Sequence, residues 1–241
     1  MKVIVLTLVR NNANWLPHFY MAIDKLKVVH SEIHFDVHVY ENDSTDLTKR
    51  CLRGMYTSQD FGDPFDNDTR TSRLAKYRND IKNHIDDIDS YDYVLMIDSN
   101  IIFSSASFTL LLKTLEGNKD IAMATTHSMV GTSMPCEFYY DTFAMGLGQF
   151  DSVFECRSKR NHDRHCHCVT GKTPMFSVNS PENVEVDKCF GGFALIRADV
   201  YNKSSWGVDK PEDCEHWKFC ADVRKHGKIV INRRARVMWY E

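Results

Sequence analysis

A chain of 241 residues, 43% of them hydrophobic, can bury one good-sized core, so a single domain over 1–241 is expected. The net charge of -3 and pI near 6.4 argue against general nucleic-acid binding, which draws on a broad basic field. No stretch reaches the apolar length of a membrane span, and Met1 to Val9 lacks the length and cleavage pattern of a signal peptide.

The chain opens with an apolar strand from Val3 to Val9, carrying Thr7 and ending in Arg10, Asn11 and Asn12. A helical segment from Trp15 to Leu26 follows. A second strand, Phe35 to Tyr40, then runs into E-N-D-S-T-D-L-T, Glu41 to Thr48. This strand, helix, strand rhythm predicts a parallel sheet with its site at the strand ends. Ser44, Thr45 and Asp46 read as N-cap chemistry for a helix over Leu47 to Met55. Glu41 and Asp43 are placed where acidic groups accept hydrogen bonds from a ribose or base.

Thr71 to Ile85 is helical in pattern, with Leu74, Tyr77, Ile81 and Ile85 at three- and four-residue spacing. Arg73 and Lys76 lie off that stripe, and Arg78 lies one position from it. The basic face is either solvated or a phosphate clamp, for which the planar arginine fork is suited.

Tyr93 to Phe103, Y-V-L-M-I-D-S-N-I-I-F, is the most telling stretch. Val94 to Ile97 reads as a strand covered on both faces, interrupted by Asp98, Ser99 and Asn100. Oxygens at the carboxyl end of such a strand can hold a divalent cation and the phosphates it carries. A turn or helix cap is the competing reading.

Thr132 to Lys188 has no sustained periodicity, as in lids and acceptor loops. Within it, Cys156, His162, His165, Cys166, His167 and Cys168 are dense enough for zinc, but C-H-C lacks the separated knuckles of a tetrahedral site. Gly191 and Gly192 precede a short strand inside Cys189 to Val200, either as a bulge or to let a sugar or backbone approach closely. Pro211, Glu212, Asp213, Cys214, Glu215 and His216 begin a helix expected over Asp213 to His226, where proline and acids complement the helix dipole. The eight cysteines do not assign disulfides. Asn42, Asn67 and Asn202 carry the glycosylation pattern, Asn42 within the expected donor site.

The first strand, the loop Y-E-N-D-S-T-D-L-T, the helix R-L-A-K-Y-R-N and the strand end L-M-I-D-S-N together resemble a nucleotide-sugar glycosyltransferase of the GT-A type. Within that group they are similar to the fungal capsule α-1,3-mannosyltransferase family. The resemblance implies an α/β, Rossmann-like GT-A fold: a mixed, mostly parallel sheet flanked by helices, with a nucleotide-binding half over 1–110 and an acceptor-side half over 111–241. It implies a GDP- or UDP-linked sugar donor, a glycan acceptor, and Mn2+ or Mg2+. Glu41 would contact base or ribose, and Thr7, Arg10 and Asp43 would join it around the nucleotide-sugar. Arg73 and Arg78 would hold the diphosphate, and Asp98 with Asn100 would take the D-x-D metal position. Asn100 carries one charge fewer than the usual second Asp, which weakens metal binding. Asp213 resembles the base of inverting enzymes, with Glu212 or Glu215 as substitutes, whereas the capsule family implies a retaining reaction without an obligatory base. Gly191 and Gly192 fall on the acceptor side.

The function expected is therefore metal-assisted transfer of a hexose, mannose among the candidates, to a glycan hydroxyl. A sugar-nucleotide nucleotidyltransferase is the alternative enzyme, although Thr7 to Trp15 lacks a glycine-rich phosphate loop. A catalytically inactive sugar-binding module is the third reading. Localisation leans to the cytosol over a trimmed Golgi-lumenal domain.

Overall fold

The computed structural model describes residues 1–62, 69–130, 139–145, 154–155, 175–176, 181–211 and 213–239. The Cys/His tract, Cys136, Asn67 and Glu212 lie outside the described residues.

The first half runs β1 (Lys2–Val9), α1 (Leu16–Val29), β2 (His34–Asn42), α2 (Thr48–Cys51), β3 (Met55–Gln59), α3 (Arg70–Asn83), β4 (Tyr93–Ile97) and β5 (Ile101–Ile102). It continues with α4 (Ser105–Gly117), β6 (Ile121–Val130), α5 (Thr142–Met145), β7 (Phe154–Glu155) and β8 (Met175–Phe176). The chain then forms β9 (Asn183–Val186), β10 (Phe193–Arg197), α6 (Ala198–Lys203), α7 (Glu215–Arg224) and β11 (Lys228–Trp239). One nine-stranded sheet has the order β3-β2-β1-β4-β10-β6-β11-β5, with β9 also on β11, while β7 and β8 pair separately. β1 is parallel to β2 and β4, β2 to β3, and β6 to β11. β10 runs antiparallel between β4 and β6.

Strand alternation divides the core. Val3, Val5 and Val9 point to one face, where Leu16, Phe19, Ile23 and Leu26 of α1 and Phe108, Leu111 and Leu115 of α4 cover them. Ile4 and Leu6 point to the other, under Tyr77 and Ile81 of α3, Tyr201 of α6 and Phe219 of α7. Covering on both faces is why these strands read as continuous apolar runs.

Two expected helices differ. Leu47 to Met55 gives only the single turn α2, because Gly54 takes a left-handed φ of 68° and the chain leaves it as edge strand β3. The helix expected from Asp213 begins at Glu215, with Cys214 at the N-cap position. Asp213 instead closes a turn, its Oδ2 accepting the Lys210 N–H at 3.0 Å. The helix also ends at Arg224, short of His226.

Candidate active site

Parallel strands β1 and β4 end side by side, and the loops leaving them are tied together. Asn11, in a left-handed conformation that asparagine tolerates, donates its N–H to Ser44 Oγ at 3.0 Å and accepts the Thr45 N–H at 2.8 Å. The Asn12 N–H binds Thr48 Oγ1 at 2.6 Å, and its side-chain amide reaches Ser99 Oγ. This clamp opens a cleft of about 550 Å³ at the strand ends, with Arg10, Asn12 and Asn42 on one wall.

Helix α3 starts behind Thr69, whose hydroxyl accepts the Ser72 N–H at 3.2 Å. It brings Arg70, Arg73, Tyr77 and Arg78 to the cleft. Arg78 is buried, with Nη2 3.5 Å from Asp98 Oδ1, Nε 3.6 Å from Glu215 Oε1, and the guanidinium 5.0 Å from the centre of the Phe190 ring. Thus Arg78, one position off the apolar stripe, is the cation at the centre of the site.

Among the described residues three carboxylates line the cleft: Asp98, Asp141 and Glu215. Burial pushes Asp98 up to about 6, with Arg78 pulling it down and Glu215 adding to the rise. Burial pushes Asp141 up to about 7, opposed by the Gly191 N–H, which donates to its Oδ2 at 2.7 Å, and reinforced by the charge on Asp98. Burial would raise Glu215 too, but the permanently charged Arg78 guanidinium holds it below the usual carboxylate range. His216 is itself driven down to about 3 by burial and stacks on Phe190 with ring centres 4.2 Å apart.

The expected residues separate into two groups. Arg10, Arg73, Arg78, Asp98, Asn100 and Glu215 line the cleft. Thr7, Glu41, Asp43, Gly191, Gly192 and Asp213 are not among its lining residues. Thr7 lies beneath, beside Arg78 and Tyr201. Glu41 is wholly buried and accepts the Ser44 N–H at 2.8 Å and the Ser58 hydroxyl, so its carboxylate organises the loop after β2. Asp43 accepts the Phe61 and Gly62 N–H groups at 2.6 and 3.2 Å.

The glycines admit protein, not open space. A Cβ on Gly191 would stand 2.7 Å from the Thr126 carbonyl oxygen, and one on Gly192 would stand 2.7 Å from the Trp239 indole. Both have left-handed φ, 68° and 72°. The Gly192 carbonyl accepts the Asp98 N–H at 2.9 Å, so this turn fixes the end of β4.

Asp141, Arg70 and Trp239 were not anticipated. Asp141 follows an aperiodic stretch, and Trp239 reaches the cleft only because β11 pairs with both β6 and β5 after its register shift between Asn232 and Arg236.

The donor atoms around Asp98, Asn100 and Asp141 are hard oxygens, the type that suits Mn2+ or Mg2+. The raised proton affinities of Asp98 and Asp141 come first from burial and only then from neighbouring carboxylates, a cost of charge that a bound dication would offset. Among the described residues no three His, Cys, Asp or Glu side chains already converge as a metal site. No described helix is long and apolar enough to cross a membrane, and Cys51, Cys189, Cys214 and Cys220 are free thiols.

No family model matches the sequence, and comparison with curated proteins gives no match. Solved structures do match. The chain is similar to residues 1–349 of TarS from S. aureus, with 13% identity and a TM-score of 0.55 over 100% of this chain and 60% of that one. It is similar to the mannosyltransferase PcManGT from Pyrobaculum calidifontis, solved with GDP-Man and Mn2+, with 12% identity and a TM-score of 0.54 over 98% of this chain and 56% of that one. A third is glucosyl-3-phosphoglycerate synthase from Mycobacterium tuberculosis, solved with Mn2+, UDP and phosphoglyceric acid, at 12% identity and a TM-score of 0.51 over 98% and 69%. The chain therefore spans less than two thirds of the length of TarS 1–349 and of PcManGT. The likeness supports the GT-A part of the expected resemblance and not the narrower capsule mannosyltransferase part. The mixed sheet flanked by helices is the GT-A fold.

Proposed function

We propose that the chain is a glycosyltransferase that moves a hexose from a GDP- or UDP-linked donor to a hydroxyl of a glycan acceptor. The observation that carries this reading is the meeting of Arg78 with Asp98 and Glu215 at the ends of β1 and β4, inside a cleft that also presents Arg10, Arg70 and Arg73. Ligands of open α/β sheets bind at this position. Four guanidinium groups are an apt counterpart to a diphosphate, which they can grip in pairs of hydrogen bonds.

In this reading Arg70, Arg73 and Arg78 hold the diphosphate as its bond to the anomeric carbon breaks, stabilising charge on the leaving oxygens. Asp98, with Asn100 and Asp141 beside it, would hold a divalent ion, which would neutralise further charge on the departing diphosphate. An acceptor hydroxyl entering the cleft meets Asp141 and Glu215 as carboxylates able to take its proton. Asp213 is held in its turn by Lys210, and Glu215 is the described member of the acidic cluster that lines the cleft. TarS with UDP-GlcNAc and PcManGT with GDP-Man make UDP- and GDP-linked hexoses, mannose included, the donors to test first.

The test is a thermal-shift panel of UDP, GDP, CMP and their sugars with and without Mn2+. Binding only to the folded state raises stability by about 2.7 kcal/mol at a hundredfold excess over Kd. A shift with one nucleoside diphosphate, larger with Mn2+, is expected; no shift with any nucleotide removes the donor assignment.

A further inference from the structure

Resting on that reading, we infer that the cleft wall built from Phe143 and Trp239, with Trp217 buttressing Phe143 from behind, is the acceptor subsite, and that it takes a pyranose ring by stacking. The arginines come from the loop after β1 and from α3, whereas these two aromatics come from α5 and the end of β11. Donor charge and acceptor surface are thereby kept on different elements.

Phe143 is 51% exposed although it lines a cleft otherwise rich in charge. An apolar ring left open there has a use if the partner offers C–H groups, and the positive C–H edges of a pyranose suit the negative face of an aromatic ring. The ring is held in place: the Phe143 carbonyl accepts the Trp217 indole N–H at 3.1 Å, and the ring centres are 6.4 Å apart. Lys188 caps the Trp217 ring, its ammonium 4.1 Å from the centre.

Trp239 is positioned at some cost. Its indole lies over Gly192, where only glycine leaves room, and beside Tyr140, with ring centres 5.2 Å apart. Its indole nitrogen is buried without a hydrogen-bond partner, an arrangement that packing alone does not favour.

The same cleft also presents proton acceptors: Asp141, two residues before Phe143, and Glu215 line it together with Phe143 and Trp239. A sugar resting on the rings would offer its hydroxyls to these carboxylates, combining an apolar face with oriented polar edges as carbohydrate recognition requires.

The experiment is saturation-transfer difference NMR on the whole chain with methyl gluco-, galacto- and mannopyranosides as probes, glycerol as the non-ring control, and UDP or GDP present. Transfer to ring C–H protons of at least one glycoside and none to glycerol is expected. Phe143→Ala should weaken that glycoside about tenfold, the scale of one aromatic contact, while Phe143→Tyr retains it. Nucleotide thermal shifts should be the same in both variants. Absence of glycoside transfer, or unchanged affinity in Phe143→Ala, overturns the proposal. So does a parallel loss of nucleotide binding, which would assign the ring to the nucleobase. Glycosides that depend on Phe143 in a protein that binds no nucleotide would uphold this subsite and remove the donor reading instead.

Discussion

Replacing Asp98 by Asn should make the ligand-free protein more stable. The carboxyl moves from 3.8 to about 6 on folding because burial disfavours its charge. At about 1.36 kcal/mol per unit this costs the folded state about 3 kcal/mol near pH 7. A folded-state value above the unfolded one means that the folded protein holds the extra proton, so stability is lost as pH rises from roughly 4 to 6 and the full cost applies above that window. Asparagine keeps the shape without the charge, and Arg78 keeps Glu215 as partner. Differential scanning calorimetry should show a gain of about 3 kcal/mol at pH 7.5, or roughly 6 to 12 °C in a domain of this size. At pH 4.5 the gain should shrink to about 1 kcal/mol. Saturating nucleotide with Mn2+ should stabilise the wild type and not the variant, closing most of the gap. An unchanged or lower melting point at pH 7.5, or an equal gain at both pH values, would refute the assignment of Asp98 as a destabilised functional carboxylate.

Other variants separate function from structure. Arg78→Met leaves Asp98 and Glu215 without their shared cation, so the urea midpoint should fall by the equivalent of about 3 to 5 kcal/mol at pH 8 and recover in part at pH 5 as the carboxylates protonate. Asp213→Asn should keep near wild-type turnover, whereas Glu215→Gln should lower it by about 10² to 10⁴ if Glu215 takes the acceptor proton. Initial rates at saturating donor decide between the two, and proton NMR of the product anomer reports whether configuration is kept or inverted. Gly192→Ala forces a Cβ against the Trp239 indole at a φ of 72° and should cost about 1 to 3 kcal/mol in chemical denaturation; a neutral effect would show that the indole can move aside.

What the sequence revealed followed from which residues were buried on both sides. β1, β2 and β4 were legible because Val3 to Leu6 and Val94 to Ile97 are covered by helices on both faces and so form unbroken apolar runs. Helix α3 was legible through the spacing of Tyr77 and Ile81. β3 was not, since an edge strand carrying Met55 and Tyr56 half exposed has neither alternation nor an apolar run. Asp98, Arg73 and Arg78 could be placed near the cleft because they stand at the end of a strand and along a helix whose directions were predictable. Asp141 could not be placed, because its role comes from the Gly191 turn and from distant carboxylates, not from its neighbours in sequence. Glu41 and Asp43 had the right position in the chain, but their oxygens are taken by the Ser44, Phe61 and Gly62 N–H groups and by the Ser58 hydroxyl of β3. The same limit applied to Gly192, whose space is filled by a tryptophan 47 residues away.

The central claim, that this cleft cleaves a nucleotide-sugar, is tested most directly by release of nucleoside diphosphate. The wild type is incubated with each UDP- and GDP-linked hexose and Mn2+, with and without the methyl glycosides, and free UDP or GDP is quantified by chromatography. Release from one donor, faster with a glycoside acceptor and lost in Asp98→Ala while its far-UV circular dichroism is unchanged, is the predicted result. No release from any donor, or release undiminished in Asp98→Ala, would contradict it.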